Sequence, residues 1–454
     1  MLKRLGKSEF SKNVITLMTG TTIGQLLPLA LTPVLTRLFS PDEFGLFAFY
    51  TSMVTFLMVI AAGRYEQAVV LPKEDKEAIN ILALCFSILA VITALLFLIY
   101  FLAGDLIAGW INKPAIADWL WFVPVSVFFA TAYRILTFWS NRKKRFKGTS
   151  ASVVAQAGGR VSVQLVGGLG KYGVLSGKIP FGKFVKSIWD KSHPEPTGIT
   201  PLGIGSLILS FAFGFFMGTL MLLFPFLKKD RSLFSAVSWK QMKEQAKVYD
   251  KFPKVNTFHA LGDEMKNLGV TSTIIYAFSD VILGFYSMTF RVLRAPLSVI
   301  GNSFGQVFYQ KAAEMHANKQ NYVRLIDSTI KKLSLIALPI FLVIVFFGPP
   351  LFAWVLGEKW RVAGEYAQYL TPWLFASFVI SPIQQVAVIV DKQFQIFLFS
   401  ILGNVIIFGS ILIGGFVFNN ILGGFILLSA LQTVYFLWIY LWIKRIAKES
   451  CKEF

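Results

Sequence analysis

The chain has 454 residues, of which 55% are hydrophobic and 15% charged, and its mean hydropathy is +0.62. Soluble domains carry about 25% charge, so a water-soluble body of this size is excluded. At about 20 residues per bilayer crossing, twelve crossings leave no room for a sizeable soluble catalytic domain. The net charge of +20 does not imply a nucleic-acid partner, because membrane proteins concentrate Lys and Arg in their cytoplasmic loops.

Lys3, Arg4, Lys7 and Lys12 precede the first apolar run, and no small-residue cleavage site follows them. They read as the flank of an uncleaved first helix. Apolar runs bounded by charge then predict spans at 13–37, 44–63, 79–103, 120–137, 151–170, 202–226, 255–278, 283–308, 333–355, 370–390, 394–417 and 421–443. The fold class is therefore an all-α polytopic membrane protein with about 12 transmembrane helices. An even number of spans puts both ends on one side. With that side inside, 30 Lys and Arg fall in inner segments and 9 in outer ones, which places both termini in the cytoplasm. Trp110, Trp119 and Trp121 on one side and Trp139 and Trp442 on the other suit interfacial aromatic belts.

The outer segment 171–201 runs against this bias, because Lys171, Lys178, Lys183, Lys186 and Lys191 all lie in it. After Pro180, residues Phe181, Phe184, Val185 and Ile188 keep helical spacing, so the segment is either a short amphipathic helix on the outer interface or an irregular loop. Laying residue n on n+239 matches Phe39-Ser40 with Phe278-Ser279, Gly45 with Gly284 and Phe47 with Tyr286. This repeat predicts two six-helix lobes, 1–226 and 255–454, joined by an inner linker at 227–254.

Charges in hydrocarbon are expensive and mark interior surfaces. Five basic residues fall within the predicted spans: Arg134, Arg160, Lys266, Arg291 and Arg294. Arg291 and Arg294 are three residues apart on one face of the eighth span, roughly 12–17 Å from its outer end at 1.5 Å per residue. Paired guanidiniums match phosphate or carboxylate oxygens; the competing reading is an ion pair with Asp263 or Glu264 of the seventh span. Those two carboxylates and Lys266 make the seventh span either a lumen-lining helix, the reading that keeps the C-terminal topology, or a segment that does not cross the membrane. The repeat offset lays Glu264 on Gln25 of the first span, whose Thr19, Gly20, Thr21, Thr22, Gly24, Pro28 and Pro33 predict a helix that bends. Arg134 is expected to snorkel to the inner surface. Arg160 follows Gly158-Gly159 at mid-span, and Asn302 and Gln306 are candidates to hydrogen-bond a sugar.

Enzyme signatures are absent. Gly168-Leu169-Gly170-Lys171-Tyr172-Gly173 has the string of a nucleotide loop but ends a span, with no βαβ unit around it. Three dispersed histidines and two cysteines form no metal spacing. No catalytic residue, metal or cofactor is expected.

Three stretches resemble the polysaccharide transporter (Wzx-type flippase) family: Thr19-Gly-Thr-Thr-Ile-Gly-Gln25, Leu35-Thr-Arg-Leu-Phe-Ser-Pro-Asp-Glu-Phe-Gly45 and Arg64-Tyr-Glu-Gln-Ala-Val-Val-Leu-Pro72. In the second half Gly284-Phe-Tyr286, Arg291-Val-Leu-Arg-Ala-Pro-Leu297, Ile300-Gly-Asn302, Gln306-Val-Phe308, Lys311-Ala-Ala-Glu314 and Ser381-Pro382 are also similar to its members. Segment 171–201 departs from the family, where this connection is usually shorter and more apolar. The family belongs to the multidrug/oligosaccharidyl-lipid/polysaccharide exporter superfamily. The resemblance implies a MATE-like fold of two six-helix lobes around a cavity that opens alternately to the two sides. It implies a polyprenyl-pyrophosphate-linked oligosaccharide as substrate, surface polysaccharide (O-antigen, capsule or exopolysaccharide) as destination, and the bacterial inner membrane as location. The implied partners are membrane lipids and, further along the pathway, a polysaccharide polymerase with its chain-length machinery. Arg291, Arg294, Arg160, Lys266, Gln25 and Asn302 are the candidate cationic and polar lining, and Asp263 and Glu264 the candidate ion-coupling carboxylates. The rival readings are a multidrug exporter of the same superfamily, which would favour an acidic lumen, and a membrane polysaccharide polymerase.

Overall fold

The computed structural model describes residues 9–175 and 201–452; the expected amphipathic helix at 181–188 lies outside the described residues. Among the described residues all regular structure is helical. The long helices are α1 (Glu9–Ala30), α2 (Thr32–Leu38), α3 (Pro41–Ile60), α4 (Asp75–Ile111), α5 (Val123–Arg142), α6 (Phe146–Leu175) and α7 (Pro201–Lys229). They continue with α8 (Trp239–Val248), α9 (Thr257–Ala277), α10 (Asp280–Ala317), α11 (Val323–Leu356), α12 (Arg361–Ile380), α13 (Gln393–Phe416) and α14 (Ile421–Lys452). Each of the twelve expected spans has its helix, the first being the broken pair α1 and α2, while α8 falls between the sixth and seventh of them. Among the described residues eight helical spans are apolar and long enough to cross a bilayer by length and composition alone. The other four are α1 with α2, α6, α9 and α10, which hold Arg160, Arg291, Arg294, the α9 charges and the breaks of the first span.

Local sequence explains the main irregularities. The first span breaks at Leu31, between Pro28 inside α1 and Pro33 in the first turn of α2. Proline supplies no backbone donor, and beside the break Thr32 Oγ1 donates to the Pro28 carbonyl at 2.7 Å. The start of α3 is set by Ser40 and Pro41, with the Ser40 N–H donating to the Glu43 carboxylate at 3.0 Å. At 37 residues α4 is longer than a bilayer needs, and it kinks at Ala103 (φ −135°).

The chain divides into two compact units, Met1–Leu268 and Gly269–Phe454. Small residues let helices approach closely in both, the usual device where lipid offers no hydrophobic drive between helices. In the first unit a Cβ added to Gly20 of α1 would lie 1.7 Å from Ser150 Oγ of α6. In the second, one added to Gly364 of α12 would lie 2.4 Å from the Gly348 carbonyl oxygen of α11. Thr289 of α10 donates to the Ala363 carbonyl of α12 at 2.8 Å, and Gln432 of α14 to the Gly403 carbonyl of α13 at 2.7 Å.

Two buried networks hold the first unit. Lys171 was expected in an outer loop, but it lies inside α6 with its ammonium 2.7 Å from both oxygens of Glu43, and both residues are buried. The apolar run ends at Gly170, but α6 continues because its next cation has a carboxylate to meet. At the basic end, Asp230 accepts two bonds from the Arg145 guanidinium (2.6 and 2.7 Å) and one from Trp139 Nε1 (2.9 Å). The Asn80 amide donates to the Ala236 carbonyl and Gln241 Oε1 and accepts the Ser238 N–H. These bonds strap the α7–α8 connection onto α4. A π-helical turn, Phe252–Asn256, then leads into α9.

Candidate functional site

In the second unit, positions 294, 297, 301, 305 and 309 recur every three or four residues and so form one stripe of α10. They wall a cavity of about 690 Å³, closed on its other side by α12 and the 3₁₀ turn Ser381–Gln385. Its polar lining among the described residues is Arg294, Gln306, Tyr309, Ser377, Ser381 and Gln385, none of them acidic. Gly301 and Gly305 leave the middle of the wall open. Arg294 lies over the rings of Phe290 (4.8 Å) and Trp373 (5.7 Å), which orients the guanidinium while leaving its N–H fork available. Among the described residues no carboxylate pairs with Arg294. Arg291 sits one turn earlier, half-buried and outside the cavity lining. Asn302 is on α10, but its side chain lies outside the described residues. The structure thus brings Arg294 together with Gln306, which the sequence placed on the same helix, and adds Tyr309, Ser381 and Gln385. The Ser381-Pro382 motif was visible in the sequence, but its approach to α10 was not.

The remaining candidates lie in the first unit. Arg160 of α6 lies over Phe211 (5.0 Å) and Phe215 (5.9 Å) of α7. Gln25 is exposed on α1. On α9, Asp263 faces His259 Nδ1 at 3.8 Å, Glu264 accepts a bond from Asn267 at 3.2 Å, and Lys266 is half-buried.

Sequence reasoning passed over a second cluster here. Glu66, on the 3₁₀ turn Tyr65–Val70, is 0% exposed and receives Arg134 on Oε1. The expected snorkelling of Arg134 is therefore corrected: it is 25% exposed and turned to a buried carboxylate, because stranding Glu66 in apolar surroundings would cost more than solvating the guanidinium gains. Arg64 precedes it in the left-handed region (φ 59°) and is half-buried. Burial, and secondarily the Arg134 charge, pull the Arg64 guanidinium below the ordinary arginine range, against the opposing pull of Glu66, Glu264 and Asp263. Five charges from three parts of the unit thus share one neighbourhood. The available signal was Arg64-Tyr-Glu66 at the end of a span, which the sequence presented as a family motif only.

The profile of the family described as "Polysaccharide biosynthesis protein" matches residues 34–176 and 201–365. The chain belongs to that family. The resemblance to polysaccharide transporters read from the motifs stands with it. No curated protein sequence matches the chain. Among solved structures, this member of the polysaccharide biosynthesis protein family is similar to the lipid II flippase MurJ in an inward closed conformation (TM-score 0.61, 12% identity, 96% of this chain and 90% of that one). It is also similar to an inward-facing multidrug resistance MATE transporter of the MOP superfamily (TM-score 0.59, 14% identity, 96% and 94%). A third is a MOP superfamily transporter from Pyrococcus furiosus whose binding pocket has reversed polarity (TM-score 0.58, 12% identity, 98% and 98%). At these identities the likeness is one of fold, and that fold is MATE-like, as the motifs implied.

Proposed function

We propose that the protein is a flippase that moves polyprenyl-pyrophosphate-linked oligosaccharide across the bacterial cytoplasmic membrane for surface polysaccharide such as O-antigen, capsule or exopolysaccharide. One observation carries the reading: the cavity of about 690 Å³ has an oriented arginine at one end and amides and hydroxyls along its wall, with no acid among the described residues that line it. Guanidinium suits a pyrophosphate and neutral donors and acceptors suit sugar hydroxyls, while an organic cation would meet the Arg294 charge and no carboxylate among the described lining residues. The family match and a structural neighbour named as a lipid II flippase support the same direction. The lipid tail needs no tunnel, since it can remain in the bilayer while the head group moves through the protein.

The two six-helix lobes would be 1–226 and 255–454, joined by 227–254, and alternate opening would carry the head group across. Both termini would be cytoplasmic; the burial of Lys171 against Glu43 removes one lysine from the outer count and strengthens that orientation. Arg160 and Lys266 would extend the cationic path, with Gln25 and Asn302 as polar contacts. Asp263 and Glu264 would couple transport to an ion gradient, and the polymerase with its chain-length machinery would take the product. The protein would act as a carrier, with no bond made or broken.

Deleting the gene should leave lipid-linked oligosaccharide in the cytoplasmic leaflet and remove surface glycan. Complementation with Arg294→Glu should fail while membrane levels of the protein stay normal. Normal surface glycan in the deletion strain, with altered drug sensitivity, would overturn the proposal in favour of multidrug export.

A further inference from the structure

A second cavity, of about 340 Å³, lies at the basic end of the first unit where α5 turns into α6 beside the end of α7. Its lining includes Trp139, Lys144, Arg145, Lys147, Pro225 and Lys229, and no acidic residue among the described ones contributes to it. We infer that this cavity is a binding site for the phosphate headgroup of an anionic membrane phospholipid, separate from the transport cavity.

Three features carry the assignment. The first is charge that the fold does not consume. Arg145 is occupied by Asp230, whereas Lys144, Lys147 and Lys229 form no ion pair among the described residues, and Lys144, Lys147 and Lys229 are exposed. The second is shape. The Arg145–Asp230–Trp139 bonds hold the turn against α7, so the lysines surround a fixed cavity. Lys144 itself is held in the left-handed region (φ 53°), where glycine is favoured at a helix end. The third is depth. The three spans that contribute to the cavity meet there at their ends, α5 at Arg142, α6 from Phe146 and α7 at Lys229, so it opens where headgroups meet water. The cavity's own lining adds an apolar flank to the lysines, Leu136, Phe146, Leu222 and Pro225, along which the start of an acyl chain can lie. A soluble anion would use the lysines but not that apolar flank; an anionic phospholipid uses both.

Each basic residue beside an anionic headgroup is worth about fivefold in binding, so neutralising three should weaken it on the order of 100-fold at low salt. The full-length protein in mild detergent would be titrated with fluorescent short-chain phosphatidylglycerol and, separately, phosphatidylcholine. The K144Q/K147Q/K229Q variant should lose phosphatidylglycerol binding to about that extent, with phosphatidylcholine unaffected. A control, K240Q/K243Q/K247Q on α8, removes equal charge outside the cavity and should bind like the unaltered protein. Inorganic phosphate should compete only weakly. Equal binding by the cavity variant, an equal loss in the control, or displacement by phosphate as effective as by lipid would each overturn the inference. Should the triple variant fail to fold, Lys229→Gln alone, expected to weaken binding about fivefold, carries the test.

Discussion

Replacing Lys171 by methionine would strand a carboxylate that is 0% exposed. In the native chain both Glu43 oxygens accept from the Lys171 ammonium at 2.7 Å, and Oε2 also accepts the Ser40 N–H at 3.0 Å. Unit charges at that separation attract by about 6 kcal/mol at an effective dielectric of about 20, and desolvation of the two ions offsets most of it. The pair as a whole is therefore close to neutral against uncharged residues of similar shape, whereas losing one partner costs about 3–5 kcal/mol. Lys171→Met and Glu43→Gln should each destabilise the purified protein by that amount. The double variant should return to within about 1 kcal/mol of the original. Denaturant titration in mild detergent, followed by helical circular dichroism across the four chains of the cycle, reads the coupling directly. A loss below about 1 kcal/mol for Lys171→Met, or a double variant that loses the sum of the singles, would refute a buried pair and return Lys171 to the outer loop.

Arg294→Lys keeps the charge but loses the planar fork and its stacking on Phe290 and Trp373, so transport should fall about tenfold or more with the protein still in the membrane, measured as surface glycan per copy. Asp230→Asn weakens two bonds from Arg145 and leaves that guanidinium half-buried without a charge to meet; a loss of about 1–3 kcal/mol in thermal or denaturant stability is expected. Gly364→Val pushes a side chain into the Gly348 carbonyl and should cost about 1–3 kcal/mol by separating α11 from α12, visible as a lowered melting temperature. Lys144→Gly relieves a left-handed lysine and should raise stability by about 1 kcal/mol, while lowering phosphatidylglycerol binding in the same preparation.

Helix number and order were legible because hydropathy over about 20 residues is a local property, and turn residues such as Ser40-Pro41 punctuate it. The break at Leu31 was legible for the same reason, from Pro28 and Pro33. Pairings were not legible. Glu43 and Lys171 are 128 positions apart, and Glu66 and Arg134 are 68 apart, so each charge read alone suggested a loop or a snorkelling end. Of the cavity residues, Arg294 was found by its cost in lipid and Gln306 by its place on the same helix. The role of Ser381 and Gln385 was hidden because an uncharged polar residue inside a predicted span, here 370–390, carries too small a cost to stand out until the facing helix is known.

The four spans that fall short of crossing by composition alone have a consequence for biogenesis. An arginine at the centre of an isolated helix adds about 2.5–3.5 kcal/mol to insertion, so α6 with Arg160, and still more α10 with Arg291 and Arg294, should partition poorly when first synthesised. Arg160 finds its aromatic cover on α7, and Arg294 finds part of its own in Trp373 of α12. Each of these charged helices therefore depends for stable entry on a partner that the ribosome makes later. In chains truncated just after α6 or α10 that last helix should stay out of the bilayer, reached by a membrane-impermeant label while the apolar spans before it hold the chain, whereas in chains extended through α7 or α12 it should be protected.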